Sequence, residues 1–401
     1  MGLVKSSESD MESPESEVEE FLGRSDVVGA TTDEGKGRIF PCESCGADFE
    51  FNIGEQKLKC PFCGFEKDVE LAEDSEVLEQ DLNAMLERVV EFRELDEKAK
   101  GKEAQGASGC SEVRCESCSG VVVFTGTLTS TDCPYCGSPI QRENVHTATR
   151  RVPVDGVLPF LVERSTVQGK LKEWVKSRWF APGDFKKQGA RGKFNGVYLP
   201  YWTFDSLTFN AYSGERGENY TVRVGTGKNK RTETRTRWHP ASGKFQRFFD
   251  DVLVVASQGF PESYIIALEP WPLTECVPFT QQYLAGYLAR TYDIELDSGF
   301  EQGKKRIDAE ILSDVRGRIG GDKQRVHSVK SRYDAVTYKH LLLPVYLMTY
   351  RFKNKPYRIF VNAVTGEIQG QRPYSWVKIL MAVLAGVLAV IAAVVIFNMA
   401  G

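Results

Sequence analysis

The pattern of hydrophobic and polar positions divides the 401-residue chain into a polar N-terminal part, a long mixed part and a short apolar C-terminal segment. Residues 1–38 hold few apolar positions among many acidic ones. Such a segment cannot bury enough apolar surface to offset the entropy lost on ordering, so a disordered acidic tail is predicted. Residues 98–112 contain several glycines and no apolar pattern, and they predict a flexible linker.

Between these polar segments, residues 70–97 carry apolar side chains at spacings of three and four, which place them on one face of a helix. The positions are Leu78, Leu82, Met85, Val89 and Phe92. A connecting helix that packs on a neighbour explains this pattern. A short coiled coil would need a longer stripe than about two heptads.

Residues 150–373 mix helix and strand signals and predict an α+β domain. One helix is expected from Ser165, through an apolar stripe that includes Trp174 and Trp179, to a stop at Pro182. A second is expected over Gln281–Thr291 and a third over Gly303–Arg318. Two strand-like segments are similar to each other and suggest an internal duplication: YLPYW from Tyr198 and LLPVY from Leu342.

The C-terminal segment contains an uninterrupted run of apolar or small residues from Ile379 to Phe397. At 1.5 Å per residue this run reaches about 29 Å, the thickness of a bilayer's hydrocarbon core. Residues 376–399 are therefore predicted to form a transmembrane helix. Basic residues precede the span and none follows it, which predicts a single-pass protein of the cell membrane whose N-terminal domains lie in the cytoplasm.

Eight of the ten cysteines form four Cys-x-x-Cys pairs, and each of two modules contains two such pairs with fourteen residues between them. The first cysteine module, residues 39–69, contains Cys42, Cys45, Cys60 and Cys63. The second cysteine module, residues 113–140, repeats it 73 residues later with Cys115, Cys118, Cys133 and Cys136. Two such turns can place four thiolates tetrahedrally around zinc, and a module this small needs the metal to fold.

Two structural Zn²⁺ ions, each in a small four-cysteine zinc ribbon, are therefore predicted. Redox chemistry and an iron–sulfur cluster are the alternatives, since Cys133-Pro134-Tyr135-Cys136 also matches a glutaredoxin-type motif. That motif acts within a complete thioredoxin-like domain, whereas here the pair closes a short duplicated module. The chain shows no secretory signal, and a reducing compartment favours metal ligation over disulfides.

A cluster of basic residues surrounds a glycine-rich turn: Lys228, Lys230, Arg231, Arg235 and Arg237. It could contact an anionic headgroup or nucleic acid, or it could be a solvated hairpin face, which the overall charge of -4 favours. The turn lacks a phosphate-binding loop, because Val222 replaces its first glycine and Asn229 its Ser or Thr. Neither Asp250-Asp251 nor the scattered histidines suggest a catalytic group, so no enzyme activity is expected.

Together the cysteine modules and the C-terminal span resemble a group of bacterial double zinc-ribbon, membrane-anchored proteins. These proteins are named after transcription factor IIB-type zinc ribbons or the primosomal replication-factor-Y helicase. The turns LPVY from Leu343, FVNAVTG from Phe360 and RPYS from Arg372 are similar as well. The resemblance implies a membrane-tethered protein facing the cytoplasm, and the missing ATP-binding motif argues against a helicase activity.

Two functions follow as hypotheses. The first is a non-enzymatic adaptor, held in the lipid bilayer, that presents zinc ribbons to a protein partner. The second is nucleic-acid binding near the membrane through the ribbons and the basic hairpin, in replication or transcription. A third, an enzyme within residues 150–373, would require a deep pocket with convergent polar groups.

Overall fold

A computed structural model describes most of the chain beyond the N-terminal tail. The described residues are 42–69, 76–100, 111–114, 121–124, 130–132, 139–141, 146–147, 151–183, 194–225, 231–352 and 355–400. The predicted acidic tail and residues 101–110 of the predicted linker lie outside them.

The described chain mixes helices with extensive sheets, as the sequence predicts. The helices are α1 (Leu82–Lys100), α2 (Arg164–Ser177), α3 (Glu262–Ile266), α4 (Leu296–Ile319) and α5 (Trp376–Ala400). The first strands are β1 (Glu50–Asn52), β2 (Lys57–Lys59), β3 (Glu66–Lys67), β4 (Gln80–Asp81), β5 (Ser111–Arg114), β6 (Val121–Phe124), β7 (Ser130–Asp132), β8 (Pro139–Gln141) and β9 (His146–Thr147). The remaining strands are β10 (Gly156–Val157), β11 (Asn195–Val224), β12 (Arg231–Val255), β13 (Val277–Pro278), β14 (Leu288–Ala289), β15 (Lys323–Phe352), β16 (Lys355–Asn362) and β17 (Ile368–Gly370).

Three long strands, β11, β12 and β15, form the centre of a nine-stranded sheet in which β11 lies between the other two. Both pairings are antiparallel, and β11 pairs with β12 from Tyr201 opposite Val255 to Val224 opposite Arg231. The two similar sequence segments are direct neighbours here, since Leu199 lies opposite Leu343. Valine, aromatic residues and threonine recur along these strands, and their side chains pack well on a pleated, half-buried surface.

Helix α4 covers one face of the long sheet. Its inward positions recur at three- and four-residue steps and are all buried: Leu296, Gly299, Gly303, Ile307, Ile311, Val315 and Ile319. A Cβ added at Gly299 would lie 2.5 Å from Cδ1 of Trp202, so the helix approaches the sheet more closely than a larger residue allows. Helix α4 begins at Leu296, seven residues before the predicted start at Gly303.

Two helix predictions are wrong in part. The predicted helix over Gln281–Thr291 is a short 3₁₀ turn, Gln281–Leu284, after which Gly286 turns the chain with φ 78° and β14 pairs with β11. Sheet pairing here outweighs the helical spacing of the apolar residues. Helix α2 ends at Ser177, so Trp179 does not extend its buried stripe and is 72% exposed.

Helix α1 buries Leu82, Met85 and Phe92 against the body, as the apolar spacing predicts. Leu78 lies before the helix and is 63% exposed, so the buried stripe is shorter than predicted. Strand β4, just ahead of the helix, pairs with β15 and ties this segment to the sheet.

Candidate metal centre

The first cysteine module folds as a small three-stranded sheet, β1-β2-β3, with two tight cysteine turns at one end. In each turn the glycine after the second or fourth cysteine donates its N–H back to the carbonyl of the first cysteine of its pair. Gly46 bonds to Cys42 at 2.7 Å, and Gly64 bonds to Cys60 at 3.0 Å. Both glycines have positive φ, 73° and 74°, a conformation that costs other residues energy.

These turns bring four sulfurs together. The Sγ atoms of Cys42 and Cys63 are 3.6 Å apart, those of Cys45 and Cys60 are 3.5 Å apart, and all four lie within 4.8 Å of one another. Disulfide bonding would need about 2.05 Å. Four thiolates at ~2.3 Å from a central zinc would stand about 3.8 Å apart. The four cysteines therefore form a group that fits one tetrahedral metal ion.

Hydrogen bonding makes the four thiols unequal. Backbone N–H groups of Cys63 and Phe62 point at the Cys60 sulfur and lower the pKa of Cys60 to about 6. At Cys45 the N–H of Ala47 also favours the thiolate, but the sulfurs of Cys60 and Cys63 outweigh it and raise the pKa of Cys45 to about 12. Four anionic sulfurs at this spacing repel one another, so a cation is needed to hold all of them as thiolates.

The first cysteine module is packed onto the α+β body. The Phe51 ring lies 5.3 Å from the ring of Tyr283, and the Phe51 N–H donates to the carbonyl of Ala285 at 3.1 Å. On the other side the Gln56 amide donates to the Phe160 carbonyl at 3.2 Å. Cys42 and Cys60 are buried in the same apolar cluster as helix α2. The module and the body therefore share one hydrophobic core.

The second cysteine module is described only through its strands, and Cys115, Cys118, Cys133 and Cys136 lie outside the described residues. Strand β7 occupies 130–132 and strand β8 begins at 139, each 73 residues after β2 and β3. The two strands pair with each other in an antiparallel arrangement, as β2 and β3 do. The repeat in sequence is thus accompanied by a repeat in strand position.

The basic hairpin is described from Arg231 onward, and Lys228 and Lys230 lie outside the described residues. Glu233 contacts both Arg231, at 2.7 Å, and Arg235, at 3.6 Å. Arg237 lies over the ring of Tyr220, 5.2 Å from its centroid. These side chains line the end of the β11–β12 ladder, where one acidic residue offsets part of their charge.

At the C-terminus, α5 includes a 21-residue segment, Trp376–Ile396, that is long and apolar enough to span a membrane. None of this segment is buried against the rest of the chain that the structure describes. A helix that is apolar on every side needs an apolar environment.

One group escapes sequence reasoning. The carboxylates of Glu79, Asp205 and Asp250 lie within 4.8 Å of one another. Near Asp205 a β-bulge interrupts the pairing of β11 with β12, and another interrupts its pairing with β15. The Asp251 carboxylate pairs with Lys339 at 2.8 Å, and Lys339 also contacts Glu79 at 3.5 Å. Burial, and then the neighbouring Glu79, raise the pKa of Asp205 to about 7. Residues so far apart in sequence carry no local signal.

A cavity of about 410 Å³ lies beside this group, between Lys339, Asp251, Thr274 and Cys276. In its lining Lys339 pairs with Asp251, beside a second carboxylate, Glu76. Burial raises the pKa of Cys276 to about 12, which disfavours a nucleophilic thiolate. Among the described residues, His340 is buried elsewhere, with its pKa lowered by burial to about 4. His239 and His327 lie near Glu218 and Glu215. The absence of an enzyme activity stays a prediction.

Comparison with known proteins adds one relative. No protein family model matches the chain, and no solved structure is similar to it. The chain is 24% identical over 230 residues to "Uncharacterized protein YdjG" of Bacillus subtilis (strain 168). The match covers 56% of this chain and 64% of that protein, so the chain spans less than two thirds of its relative's length.

Proposed function

We propose that this protein is a non-enzymatic adaptor, anchored in the membrane by α5, whose zinc ribbons present a rigid surface to a protein partner. Cys42, Cys45, Cys60 and Cys63 would hold one structural Zn²⁺, and the second cysteine module would hold another. With four sulfur ligands each, neither ion keeps a position for water or substrate, so its role is to fold the ribbon.

The observation that carries this proposal is the outer turn of the first ribbon. Phe62 stands between Cys60 and Cys63 and is 81% exposed, whereas Phe51, on the opposite side of the ribbon, is buried against the body. An exposed aromatic on a rigid turn loses little conformational entropy on binding and suits the centre of a protein interface. The ribbon is thus fixed at one side and open at the other.

Nucleic-acid binding remains the alternative. It rests on the exposed side chains of Arg231 and Arg235, which are 75% and 56% accessible. Their shared contact with Glu233 lowers the positive potential that a phosphate backbone would meet. The buried ribbon side also leaves fewer ribbon residues to contact a duplex, so the adaptor role is better supported.

Photocrosslinking of the full chain in its native membrane tests the adaptor role. A photoreactive amino acid at position 62 should capture one recurring protein, and Phe62→Ala should weaken co-purification of that protein without changing metal content. Phe248→Ala is the matched control, since Phe248 is 58% exposed on the sheet, away from the ribbon. If Phe62→Ala and Phe248→Ala co-purify equal amounts of the captured protein, the proposal is contradicted.

A further inference from the structure

The turn that follows helix α2 exposes two aromatic side chains. The helix ends at Ser177, and the Ala181 N–H donates to the Arg178 carbonyl at 3.1 Å to close a turn. Trp179 is 72% exposed and Phe180 is 40% exposed. Exposed aromatic residues that are grouped in one patch, rather than scattered singly, mark interaction surfaces.

This turn is hydrogen-bonded to the start of the apolar helix α5, although the two are far apart in sequence. The Ser375 N–H donates to the Phe180 carbonyl at 2.8 Å. The Lys378 ammonium donates to the carbonyls of Trp179, at 3.1 Å, and Ala181, at 2.7 Å. Trp179 and Phe180 are therefore held within about one helical turn of the point where the apolar span begins.

The start of α5 adds two more exposed aromatic side chains to the same region. Tyr374 is 57% exposed and Trp376 is 83% exposed. The Arg372 guanidinium lies 5.4 Å from the centroid of the Tyr374 ring. Tryptophan, tyrosine and basic residues concentrate where a bilayer meets water, because their rings enter the headgroup layer while their polar groups stay hydrated.

From this arrangement we infer that the Arg178–Ala181 turn is a second membrane contact, which places Trp179 and Phe180 in the headgroup layer beside the anchoring helix. The inference rests on the proposed membrane anchoring by α5. Its partner is a lipid surface, because the aromatic patch continues directly into the span. Arg178 and Arg372 favour anionic headgroups at this surface.

Attachment at two points has a consequence for the ribbon. With the span alone in the bilayer, only the hydrogen bonds of Ser375 and Lys378 would resist tilting of the body relative to the membrane. The turn and the span together fix helix α2, which lies in the same hydrophobic core as Cys42 and Cys60 of the first ribbon. The membrane would thereby set the direction in which Phe62 faces its partner.

Fluorescence of the full chain in vesicles of phosphatidylcholine and phosphatidylglycerol tests the contact. Trp376→Phe removes the other tryptophan at the proposed interface, and the difference in emission between Trp376→Phe and Trp179→Phe/Trp376→Phe isolates Trp179. Lipids brominated near the top of the acyl chain should reduce this difference signal roughly twofold or more, since interfacial rings lie at that depth. The same subtraction with Trp271→Phe in place of Trp179→Phe should show no quenching, because Trp271 is only 8% exposed in the core.

An unquenched Trp179 signal in protein that resists alkaline extraction would overturn the inference and leave the anchor intact. Release of the whole chain by alkaline extraction would instead show that the proposed anchoring fails. Quenching of Trp179 in protein that is not released by alkaline extraction supports both the second membrane contact and the anchoring by α5.

Discussion

The rings of Phe51, in the first cysteine module, and Tyr283, in the α+β body, pack in a tilted arrangement, with centroids 5.3 Å apart and an angle of 58° between the planes. The contact joins a unit that is too small to fold alone to the core of a much larger domain. The stability of the body and the folding of the module that would hold the metal should therefore depend on each other.

Replacing Phe51 with alanine should destabilise both units. The side chain is 3% exposed, and truncation of a buried phenylalanine costs about 3–5 kcal/mol in unfolding free energy. Denaturant unfolding of the full chain in detergent micelles measures the loss. Phe248→Ala, at a position that is 58% exposed, should change the same quantity by less than about 0.5 kcal/mol. Equal effects would mean that the module does not stabilise the body.

Metal content should follow the cysteines. We expect about two zinc ions per chain by elemental analysis of the full protein purified without added metal. Cys60→Ser should remove one ion, and Cys60→Ser together with Cys133→Ser should remove both. Cys276→Ser is the control, because Cys276 lies outside both cysteine sets and should leave the content unchanged. Iron, or no metal with reactive thiols, would favour the alternatives to zinc.

Gly64 and Gly317 form a matched pair for backbone strain. A Cβ added at either glycine would have no other atom within 4 Å. The backbones differ, because Gly64 has φ +74° whereas Gly317 lies in helix α4. Gly64→Ala should therefore lower the unfolding free energy by about 1–2 kcal/mol and weaken retention of the metal against a chelator. Gly317→Ala should raise the unfolding free energy by about 0.5–1 kcal/mol. Loss of stability in both variants would contradict this account of the cysteine turn.

The contribution of Asp155 to stability should fall as pH rises toward neutrality. Burial raises the pKa of Asp155 from 3.8 to about 7, although the N–H of His340 donates to its carboxylate. The folded state therefore binds a proton that the unfolded state releases, and the stabilisation, complete below about pH 4, is lost as pH rises through about 7. Between about pH 4 and pH 7 the unfolding free energy loses at most about 4 kcal/mol through this group.

Asp155→Asn tests this dependence, since an amide keeps an oxygen for the His340 N–H and removes the titration. Thermal unfolding at pH 5 and pH 8 should show a smaller difference for the variant than for the parent. Part of the difference should remain, because Asp205 also has a raised pKa. Protonation of the metal-binding thiols is common to both proteins and cancels in the comparison. An unchanged difference would show that Asp155 is ionised throughout.

The basic hairpin should not bind DNA if the adaptor role is correct. Binding of the full chain in nanodiscs should be weak at physiological salt, and Arg231→Glu/Arg235→Glu should not change it. Phosphate contacts would instead give steeply salt-dependent binding that the double variant loses. That outcome would favour the nucleic-acid alternative. Lys244→Glu is the control, because it reverses an exposed charge elsewhere on β12.

Features with a local physical cause followed from the sequence. Two cysteine pairs with a glycine after each fix the turns that gather Cys42, Cys45, Cys60 and Cys63, because short turns depend mainly on their own residues. The length and apolar character of Trp376–Ile396 likewise follow from composition alone. The buried stripe of α4 follows from the spacing of Ile307, Ile311 and Val315.

Features that depend on distant partners were decided by tertiary structure. Trp179 continues the apolar spacing of α2, but the chain turns after Ser177 and hydrogen-bonds to the start of α5, so its ring faces outward. Asp205 meets Glu79 and Asp250 only because two bulges coincide beside it in the sheet. The sequence determined which short units form, whereas their positions relative to one another come from long-range packing and pairing, for which local spacing carries no information.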